Sequence, residues 1–468
     1  MGHHLHETLR LLDSAWSALS GPDGATTGVG FSGWRNGLLA SPFPCLEAMC
    51  AAVACSCLAV AEADAARNGA APRAASIDVA HVAVAARSER YAHEVGSAPP
   101  RLFDPLSRFW RTADGWLRTH ANYPWHRERL LKVLACSDDV EAVEAAVRRW
   151  PGEELERALH EAGGLGFAVR SRQEWLAHPQ GRAVAALPLL TTGGGGTAGR
   201  GLPPEPMLAG VRVLDMTRVI AGPVATRTLA GWGADVLRLD SPRLPEIAAQ
   251  SIDTLPGKRS AVLDAATRNG RRELEALLSE ADVLVQGYRP GGLAKLGLAA
   301  PDVAERHPHL SVVTISAWGT AGPWAQRRGF DSLVQAATGI AAAQGDGTGR
   351  PGALPAQVLD HATGHLAAAA AALALASVAR REGPRHAELS LAQTADWLQS
   401  SGTAGRERTA EPRTDADLSD ADRCMVTLPG PATGVRVVAS PGAVGGVRPR
   451  WATTTGLGAD EPRFLARG

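Results

Sequence analysis

The chain has 468 residues, of which 48 are Lys or Arg and 48 are Asp or Glu, so its formal net charge is zero. This length can bury a large core and predicts two or more domains. No basic stripe alternates with aromatic residues, which argues against nucleic-acid binding. Charges or helix breakers interrupt every long apolar window, and no basic stretch precedes an apolar one at the N-terminus. We therefore expect a cytoplasmic protein without a membrane span.

The first strongly apolar element is an Ala-rich helix with four of the six cysteines, Cys45, Cys50, Cys55 and Cys57. Their spacing matches no common zinc or iron–sulfur pattern, so we interpret them as small buried thiols in a reducing compartment. The histidines at positions 3, 4 and 6 are more typical of a solvated terminus than of a metal site. No metal site is predicted.

The segment around these cysteines is echoed later in the chain. PCLEAMCAAVACSCLAVAEADAARNGAAPRAASIDVAH parallels AQVLDHATGHLAAAAAALALASVARREGPRHAELSLAQ in small-residue content. Both segments predict a helix, a turn and a strand. The pairing places Glu47 opposite Asp360, and Val79 opposite Leu391.

Two low-complexity stretches divide the chain. A glycine run followed by prolines, TTGGGGTAGRGLPPEP, predicts a linker over 191–206. A charged stretch with few apolar residues predicts a disordered loop over 401–424. The predicted units are therefore 1–190, with a small domain, and 207–400, followed by a C-terminal return segment over 425–468.

The most regular part of the second unit is VRVLDMTRVIAGPVATRTLAGWGADVLRLD, at positions 211–240. Its pattern predicts a buried parallel strand over 211–214, a helix over 225–232 and a second strand over 234–239. A helix that starts at the end of a strand can bind phosphate with its backbone N–H groups. Neither GxGxxG nor GxxxxGK[ST] is present, which argues against ordinary dinucleotide and P-loop sites.

Six blocks in the second unit resemble, in the same order, those of the class III CoA-transferases. They are VLDMTRVIAGPVAT, GADVLRLD, GKRSAVLD, ADVLVQGYRPGGLAKLGL, SAWGTAGPWAQRRGFDSLVQAATG and LPAQVLDHATG. The resemblance implies an α/β fold, with a Rossmann-like open parallel sheet of the class III CoA-transferase type and a second, smaller α+β domain. It also implies that residues 1–190 resemble the C-terminal half of such an enzyme, so that this half precedes the N-terminal one.

The resemblance assigns catalysis to Asp360, in VLDHATG. Taken alone, an Asp before the Ala-rich helix predicted over 362–379 is more often a helix N-cap. In the family this block carries the nucleophile, which forms an anhydride with the acyl group and then a thioester with CoA. A carboxylate that is already ionised at pH 7 needs no general base for this attack. Backbone N–H groups of Thr363 and Gly364 are candidate oxyanion donors.

The family match also implies residues that contact CoA. Three cations would bind phosphate oxygens, and Tyr288 with three apolar side chains would pack on adenine or on the pantetheine arm. The predicted set is Val219, Ile220, Leu255, Lys258, Tyr288, Lys295 and Arg328. The implied substrates are acyl-CoA and a carboxylic acid acceptor, no cofactor is bound permanently, and a homodimer is possible.

Two alternative functions stay open. Racemases of this superfamily use a His in the RRGFDS block, where this chain has Phe330, so a racemase or isomerase would lack one of its two bases. The reshuffled order, with Glu47 in a degenerate copy of the site, also allows a non-catalytic CoA- or partner-binding relic. His361 and His365, four residues apart, lack a third metal ligand and are interpreted as packing residues, and His178 is interpreted as part of a structural turn.

Overall fold

A computed structural model describes residues 2–194, 199–289, 291–402, 421–431 and 433–467. The first half contains a helical layer, a small domain and a return to the main sheet. Its elements are α1 (Gly2–Ala18), β1 (Val29–Ser32), α2 (Cys45–Asn68), β2 (Ala75–Asp78), α3 (Val79–Ala85), α4 (Ser88–Tyr91), β3 (His93–Glu94), β4 (Phe109–Arg111), β5 (Trp116–Thr119), α5 (Pro124–Leu134), α6 (Val140–Val147), α7 (Gly152–Glu161), β6 (Gly166–Ala168), α8 (Arg172–Ala177), α9 (Pro179–Ala185) and β7 (Leu190–Gly194).

The second half alternates strands and helices and ends in short strands. Its elements are β8 (Arg212–Met216), α10 (Ala221–Gly231), β9 (Asp235–Asp240), α11 (Ala248–Thr254), β10 (Lys258–Val262), α12 (Arg268–Glu280), β11 (Val283–Gln286), α13 (Ala300–Arg306), β12 (Ser311–Ser316), α14 (Asp331–Ala337), α15 (Ile340–Ala343), α16 (Val358–Ala379), β13 (Arg385–Ser390), α17 (Leu391–Gln399), β14 (Met425–Leu428), β15 (Val435–Val438) and β16 (Ala443–Val444).

The main sheet has seven strands in the order β10-β9-β8-β11-β12-β13-β7. All neighbours are parallel except β7, which pairs antiparallel with β13. Alternate residues face opposite layers: Val213 and Val285 pack toward α16, whereas Leu214 and Leu284 pack toward α12. Burial on both faces explains the continuous apolar strands and confirms the predicted α/β class.

Helices α2 and α16 pack against each other in the largest core and are buried over nearly all of their length. Both are long and apolar enough to span a membrane, yet their apolar windows are 100% and 89% buried inside the protein. Both helices are thus part of the buried core of this fold. All six cysteines are free, and the four on α2 are buried.

The echo between the two halves is visible in the element order. Helix α2 is followed by β2 and α3, as α16 is followed by β13 and α17. Glu47 and Asp360 are each the third residue of their helix. Asp78 caps α3 and Ser390 caps α17 through their side chains, which places Val79 and Leu391 at equivalent positions.

The predicted boundaries change in two places. The linker expected over 191–206 begins one residue into β7, so its first four residues belong to the main sheet because they pair with β13. The C-terminal return segment, expected over 425–468, does not join the main sheet. Its strand β16 pairs with β2, and its strand β15 pairs with β3, both of the first half. Most of the loop expected over 401–424 lies outside the described residues, which stop at 402 and resume at 421.

A separate core marks the small domain. Trp110, Leu117, Leu130 and Leu155 pack together there, between the sheet β4-β5-β6 and helices α5 to α7. This domain contacts α14 of the second half through β5 and β6. The predicted smaller α+β domain is thus present, and it lies beside the end of the main sheet that carries the candidate site.

Candidate active site

The strand order of the main sheet reverses at β8 and β11, so their carboxyl ends are the expected position of a ligand crevice. The chain leaves β8 to form β9 on one side and later returns to form β11 on the other, and such a reversal opens a ligand crevice between the strand ends. Val219 follows β8 and Tyr288 follows β11, so two predicted CoA residues share this edge. The N–H of Gly287 donates to the Met216 carbonyl at 3.2 Å and ties the two loops together.

The loop after β8 is strained at Val219. Its φ of 69° is left-handed, a conformation that costs a β-branched residue about 1–3 kcal/mol. Its N–H donates to Glu246 Oε2 at 3.3 Å, which helps to hold this geometry. Ile220 is buried, and α10 begins at Ala221, four residues earlier than predicted, so its N–H groups start in the crevice.

Asp360 lies inside α16 rather than before it. The helix begins at Val358, and the Asp360 N–H donates to Asp331 Oδ2 at 3.0 Å. The predicted N-cap geometry is therefore wrong, because the carboxylate of Asp331 at the start of α14 satisfies the helix terminus instead. The N–H groups of Thr363 and Gly364 lie deeper in the helix, bonded one turn back, and are not free to act as oxyanion donors.

Gly364 brings Asp360 to the crevice. A Cβ on Gly364 would lie 2.6 Å from the Ala221 carbonyl and 2.9 Å from Val224, so only glycine lets α16 approach α10 this closely. Asp360 is one turn before Gly364 on the same face of the helix. Asp360, the nucleophile predicted from the sequence, is therefore one helical turn from the contact between α16 and the start of α10.

The carboxyl group of Asp360 lies among other acids. Asp360 is 6% exposed, and burial raises its pKa well above the usual value, with further increases from Asp331 and Glu89. Burial also raises the pKa of Asp331 to about 6. Asp360 is therefore harder to ionise than the ordinary aspartate on which the sequence-based expectation relied, since neighbouring carboxyls disfavour a second charge.

Glu89 comes from the first half and was missed by the sequence reasoning. It lies on α4, is buried, and its Oε2 is 3.0 Å from Nε2 of His361, the residue after Asp360. Ser88 beside it donates to Asp253 at 2.8 Å, and Asp253 also binds Arg227 of α10. Helix α4 is thus fixed against the second half by two polar contacts.

The structure buries Leu255 and Lys258 and pairs the Lys258 ammonium with protein groups, including the Pro223 carbonyl at 3.1 Å. Lys258 begins β10 and pairs with Val236 near the start of β9, at the opposite edge of the sheet. Leu255 is 2% exposed. The Lys258 Nζ is fully buried and bonds Asp215 at 2.9 Å and Thr226 at 2.6 Å. Burial lowers the pKa of Lys258 to about 8. Its predicted phosphate contact is therefore replaced by a structural role under α10.

The remaining predicted CoA residues are Tyr288 and Lys295, which follow β11, and Arg328, which follows β12. Tyr288 is half-buried, and burial raises its pKa to about 12. Arg328 is exposed and its guanidinium has no partner among the described residues. The side chain of Lys295 lies outside the described residues. Arg328 is therefore the predicted cation whose charge is available to an anion at this edge.

The small domain contributes a second set of residues that the sequence did not identify. The ring of His120 stacks on Phe330 with centroids 3.7 Å apart and an interplanar angle of 6°. Tyr123 donates a 2.5 Å hydrogen bond to Glu246, and Arg218 lies over its ring at 5.0 Å. His120 and Tyr123 both lie in the segment THANYPWH, at positions 119–126. Their partners come from the second half of the chain, so the spacing of residues within this segment could not predict these contacts.

The remaining sequence predictions at this site concern three histidines, His361, His365 and His178. His361 contacts Glu89, whereas His365 lies 3.4 Å from Ser56 of α2, so the two rings serve different partners. No group of three or more potential metal ligands is found in the described part of the chain. His178 accepts from the Gln180 N–H and caps α9, in agreement with the predicted structural turn.

Comparison with protein families matches residues 208–425 to CoA-transferase family III. We call these matched residues, a little under half of the chain, the family III region. Among its relatives are a probable fatty acyl-CoA transferase, Rv3272, of Mycobacterium tuberculosis and a formyl-CoA:oxalate CoA-transferase of Afipia carboxidovorans. Both are 34% identical; the alignments cover 37% and 34% of this chain, and 47% and 41% of the relatives. A succinate–glutarate CoA-transferase of Agrobacterium fabrum is 31% identical, over 40% of this chain and 51% of the relative.

The family III region is similar in sequence to solved proteins as well. A crystal structure of Rv3272 from M. tuberculosis is 31% identical, with a TM-score of 0.40, over 42% of this chain and 57% of that protein. The chain spans about half the length, or less, of the curated relatives named here. Asp360, Asp331 and the crevice all lie within the family III region, whereas Glu89, His120 and Tyr123 lie outside it.

Proposed function

We propose that this protein is an enzyme that transfers CoA from an acyl-CoA to a carboxylic acid through covalent intermediates on Asp360. The observation that carries the proposal is the position of Asp360: buried, on the first turn of α16, beside the crevice, and within the family III region. Acyl-CoA enters with its thioester at Asp360 and its phosphates toward the exposed Arg328.

The reaction needs four balanced steps. The Asp360 carboxylate attacks the thioester, forms an acyl anhydride and releases CoA thiolate. The thiolate attacks the Asp360 carbonyl of the anhydride, which forms an aspartyl-CoA thioester and frees the donor acid. An acceptor carboxylate then displaces the thiolate to form a second anhydride, and the thiolate attacks the acceptor carbonyl. This last step releases the new acyl-CoA and regenerates Asp360.

Burial of Asp360 serves this chemistry in two ways. An anhydride is hydrolysed by water, and a site that is closed by the small domain on Phe330 protects it. Burial raises the pKa of Asp360, so its carboxyl loses its proton at a higher pH than an ordinary aspartate does. This proton must leave before attack, so kcat/KM is expected to rise with pH above the range of an ordinary aspartate.

The two halves of one chain supply this site together. Asp360 and Asp331 come from the second half, whereas Glu89, His120 and Tyr123 come from the first. We therefore assign the function to the single chain, with acyl-CoA and an acid as substrates and no permanent cofactor. Six free cysteines support a reducing, cytoplasmic location. A homodimer is compatible with this assignment and is not required by it.

The test compares Asp360→Ala with the wild type. The variant is expected to lose transfer from a panel of acyl-CoAs to acids by at least about 1,000-fold, because no other group forms the covalent intermediates. CoA affinity, measured by calorimetry, should stay within about threefold, which also shows that the variant folds. Hydroxylamine should convert the wild-type intermediate to a hydroxamate on Asp360, located by mass spectrometry. Unchanged turnover in the variant would reject the mechanism.

One observation favours testing a second activity. Phe330 occupies the position where racemases of this superfamily carry a histidine base. The imidazole of His120 stacks on the Phe330 ring, so a histidine from the first half lies beside that position. Incorporation of deuterium at the α-carbon of an acyl-CoA, without any acceptor acid, would identify a racemase or isomerase. CoA binding without exchange or transfer would instead identify a non-catalytic relic.

A further inference from the structure

Two buried histidines of the small domain have ring nitrogens without a partner. His126 is 3% exposed, and neither its Nδ1 nor its Nε2 is hydrogen-bonded in the described structure. His120 is 5% exposed, and its Nδ1 is also unpartnered. The two rings lie 6.4 Å apart. Buried polar atoms are almost always satisfied, so three open nitrogens at one place indicate a ligand that supplies the missing partners.

These histidines lie next to the nucleophile. The ring of His126 meets Phe330 edge-on at 6.1 Å, and His120 lies flat on the same ring at 3.7 Å. Phe330 directly precedes Asp331, whose carboxylate accepts from the Asp360 N–H. Contacts through Phe330 and Asp331 therefore connect the two histidines to the segment that carries Asp360.

The surroundings of His126 are positively charged. Burial, followed by the charges of Arg328, Arg129 and Arg218, lowers the pKa of His126 to about 3. Arg218 is paired with Glu246. Arg129 donates to the Gly163 carbonyl at 3.0 Å, and within the described residues it pairs with no carboxylate. A neutral imidazole can donate one hydrogen bond, and the guanidinium group of Arg129 favours an anion beside it.

We propose that His120, His126 and Arg129 bind the distal carboxylate of a dicarboxylic acid, or of its CoA thioester, while the proximal carbonyl group reacts at Asp360. This inference rests on the proposed function and deepens it, because it names the substrate class. The first half of the chain thereby determines which acid is used. The exposed Arg328 is left to the phosphates of CoA, since it lies outside the buried aromatic layer.

The experiment compares acids that differ only in the distal group. With one CoA donor, kcat/KM is measured for succinate and glutarate and for butyrate and pentanoate, in the wild type and in Arg129→Met and His126→Leu. The matched control is Lys132→Met, an exposed cation on the same helix, α5. We expect both site variants to lower kcat/KM for the dicarboxylates about 10- to 100-fold and for the monocarboxylates less than threefold. The control should change neither.

Several outcomes would overturn this inference. Equal losses for both kinds of acid, no loss, or a wild type that prefers the monocarboxylates would show that no distal carboxylate is bound. A loss of CoA affinity in Arg129→Met would assign the arginine to a CoA phosphate instead. Arg129→Met keeps the aliphatic stem, so it tests the charge even if His126→Leu does not fold.

Binding without turnover separates this inference from the proposed function. In Asp360→Ala, calorimetry with succinate and with butyrate measures the pocket alone. Succinate is expected to bind at least 10-fold more tightly, and Arg129→Met in that background should remove the difference. If the wild type transfers CoA to no acid but this difference is present, the proposed function fails and the pocket stands. Equal binding of both acids would refute the pocket whatever the enzyme catalyses.

Discussion

At the scale of single residues, the site depends on two carboxyl groups that cannot easily be charged together. Asp331 accepts from the N–H groups of Leu359 and Asp360 and from Gln335, which favours its ionised form. Asp360 accepts no comparable set, and its pKa is raised the most strongly by burial, then by Asp331 and Glu89. Burial and the neighbouring acids therefore favour the neutral form of Asp360, whereas the hydrogen bonds to Asp331 favour the charged form of that residue.

This arrangement predicts that Asp360→Asn stabilises the protein as it inactivates it. The folded pKa values of Asp331, about 6, and of Asp360 lie above those of the unfolded chain, about 3.9. Stability from these groups is therefore complete below about pH 4 and is lost as the pH rises through the folded pKa values. At pH 8 the variant should have a higher Tm than the wild type, and this difference should shrink toward pH 5.

The control for this prediction is Asp302→Asn, which alters an exposed carboxylate on α13. Its Tm should follow the wild type across the same pH range. A Tm of Asp360→Asn equal to or below that of the wild type at pH 8 would mean that the acidic pair is not strained by its shared charge.

At the scale of elements, the contact between α10 and α16 positions the nucleophile. Gly364→Ala would place a methyl group 2.6 Å from the Ala221 carbonyl, which cannot yield without moving α10 or α16. We expect a loss of about 1–3 kcal/mol in the free energy of unfolding and a larger proportional loss of kcat than of CoA affinity, because Asp360 moves away from the loop at Val219. Urea unfolding and steady-state kinetics measure both effects.

The matched control is Gly30→Ala in β1, where the added methyl group meets no atom within 4 Å. It should leave kcat unchanged. Equal kcat values for the two variants would show that the approach of α16 to α10 does not set the position of Asp360.

The same elements show what the sequence could and could not predict. Strong local patterns located β8, β9 and α16 to within a few residues, because buried strands and helices carry continuous apolar runs. The family blocks led to Asp360, which the structure places beside the crevice. Local pattern could not predict that Lys258 turns into the core toward Asp215, since the side-chain direction depends on the charge beneath α10. Nor could it place Glu89 beside His361, because 272 residues separate them.

At the scale of the whole molecule, two related units face each other within one chain. Helices α2 and α16 pack side by side, each with an acid as its third residue, and each is followed by a strand and a short helix. The two units differ in the sheets that surround Glu47 and Asp360. In the first half, β1 and β2 belong to a three-stranded sheet completed by β16, without the strand reversal that opens the crevice at β8 and β11.

The two acids should therefore differ in reactivity, with one covalent site per chain. Glu47 is 2% exposed, and its Oε1 lies 2.6 Å from Nδ1 of His4. We expect an acid that is buried and held by this contact not to attack a thioester. With a competent acyl-CoA, hydroxylamine trapping should yield one hydroxamate per chain, at Asp360, and Glu47→Gln should keep wild-type turnover. A second hydroxamate on Glu47, or a large loss of turnover in Glu47→Gln, would show that the first half carries an active site of its own.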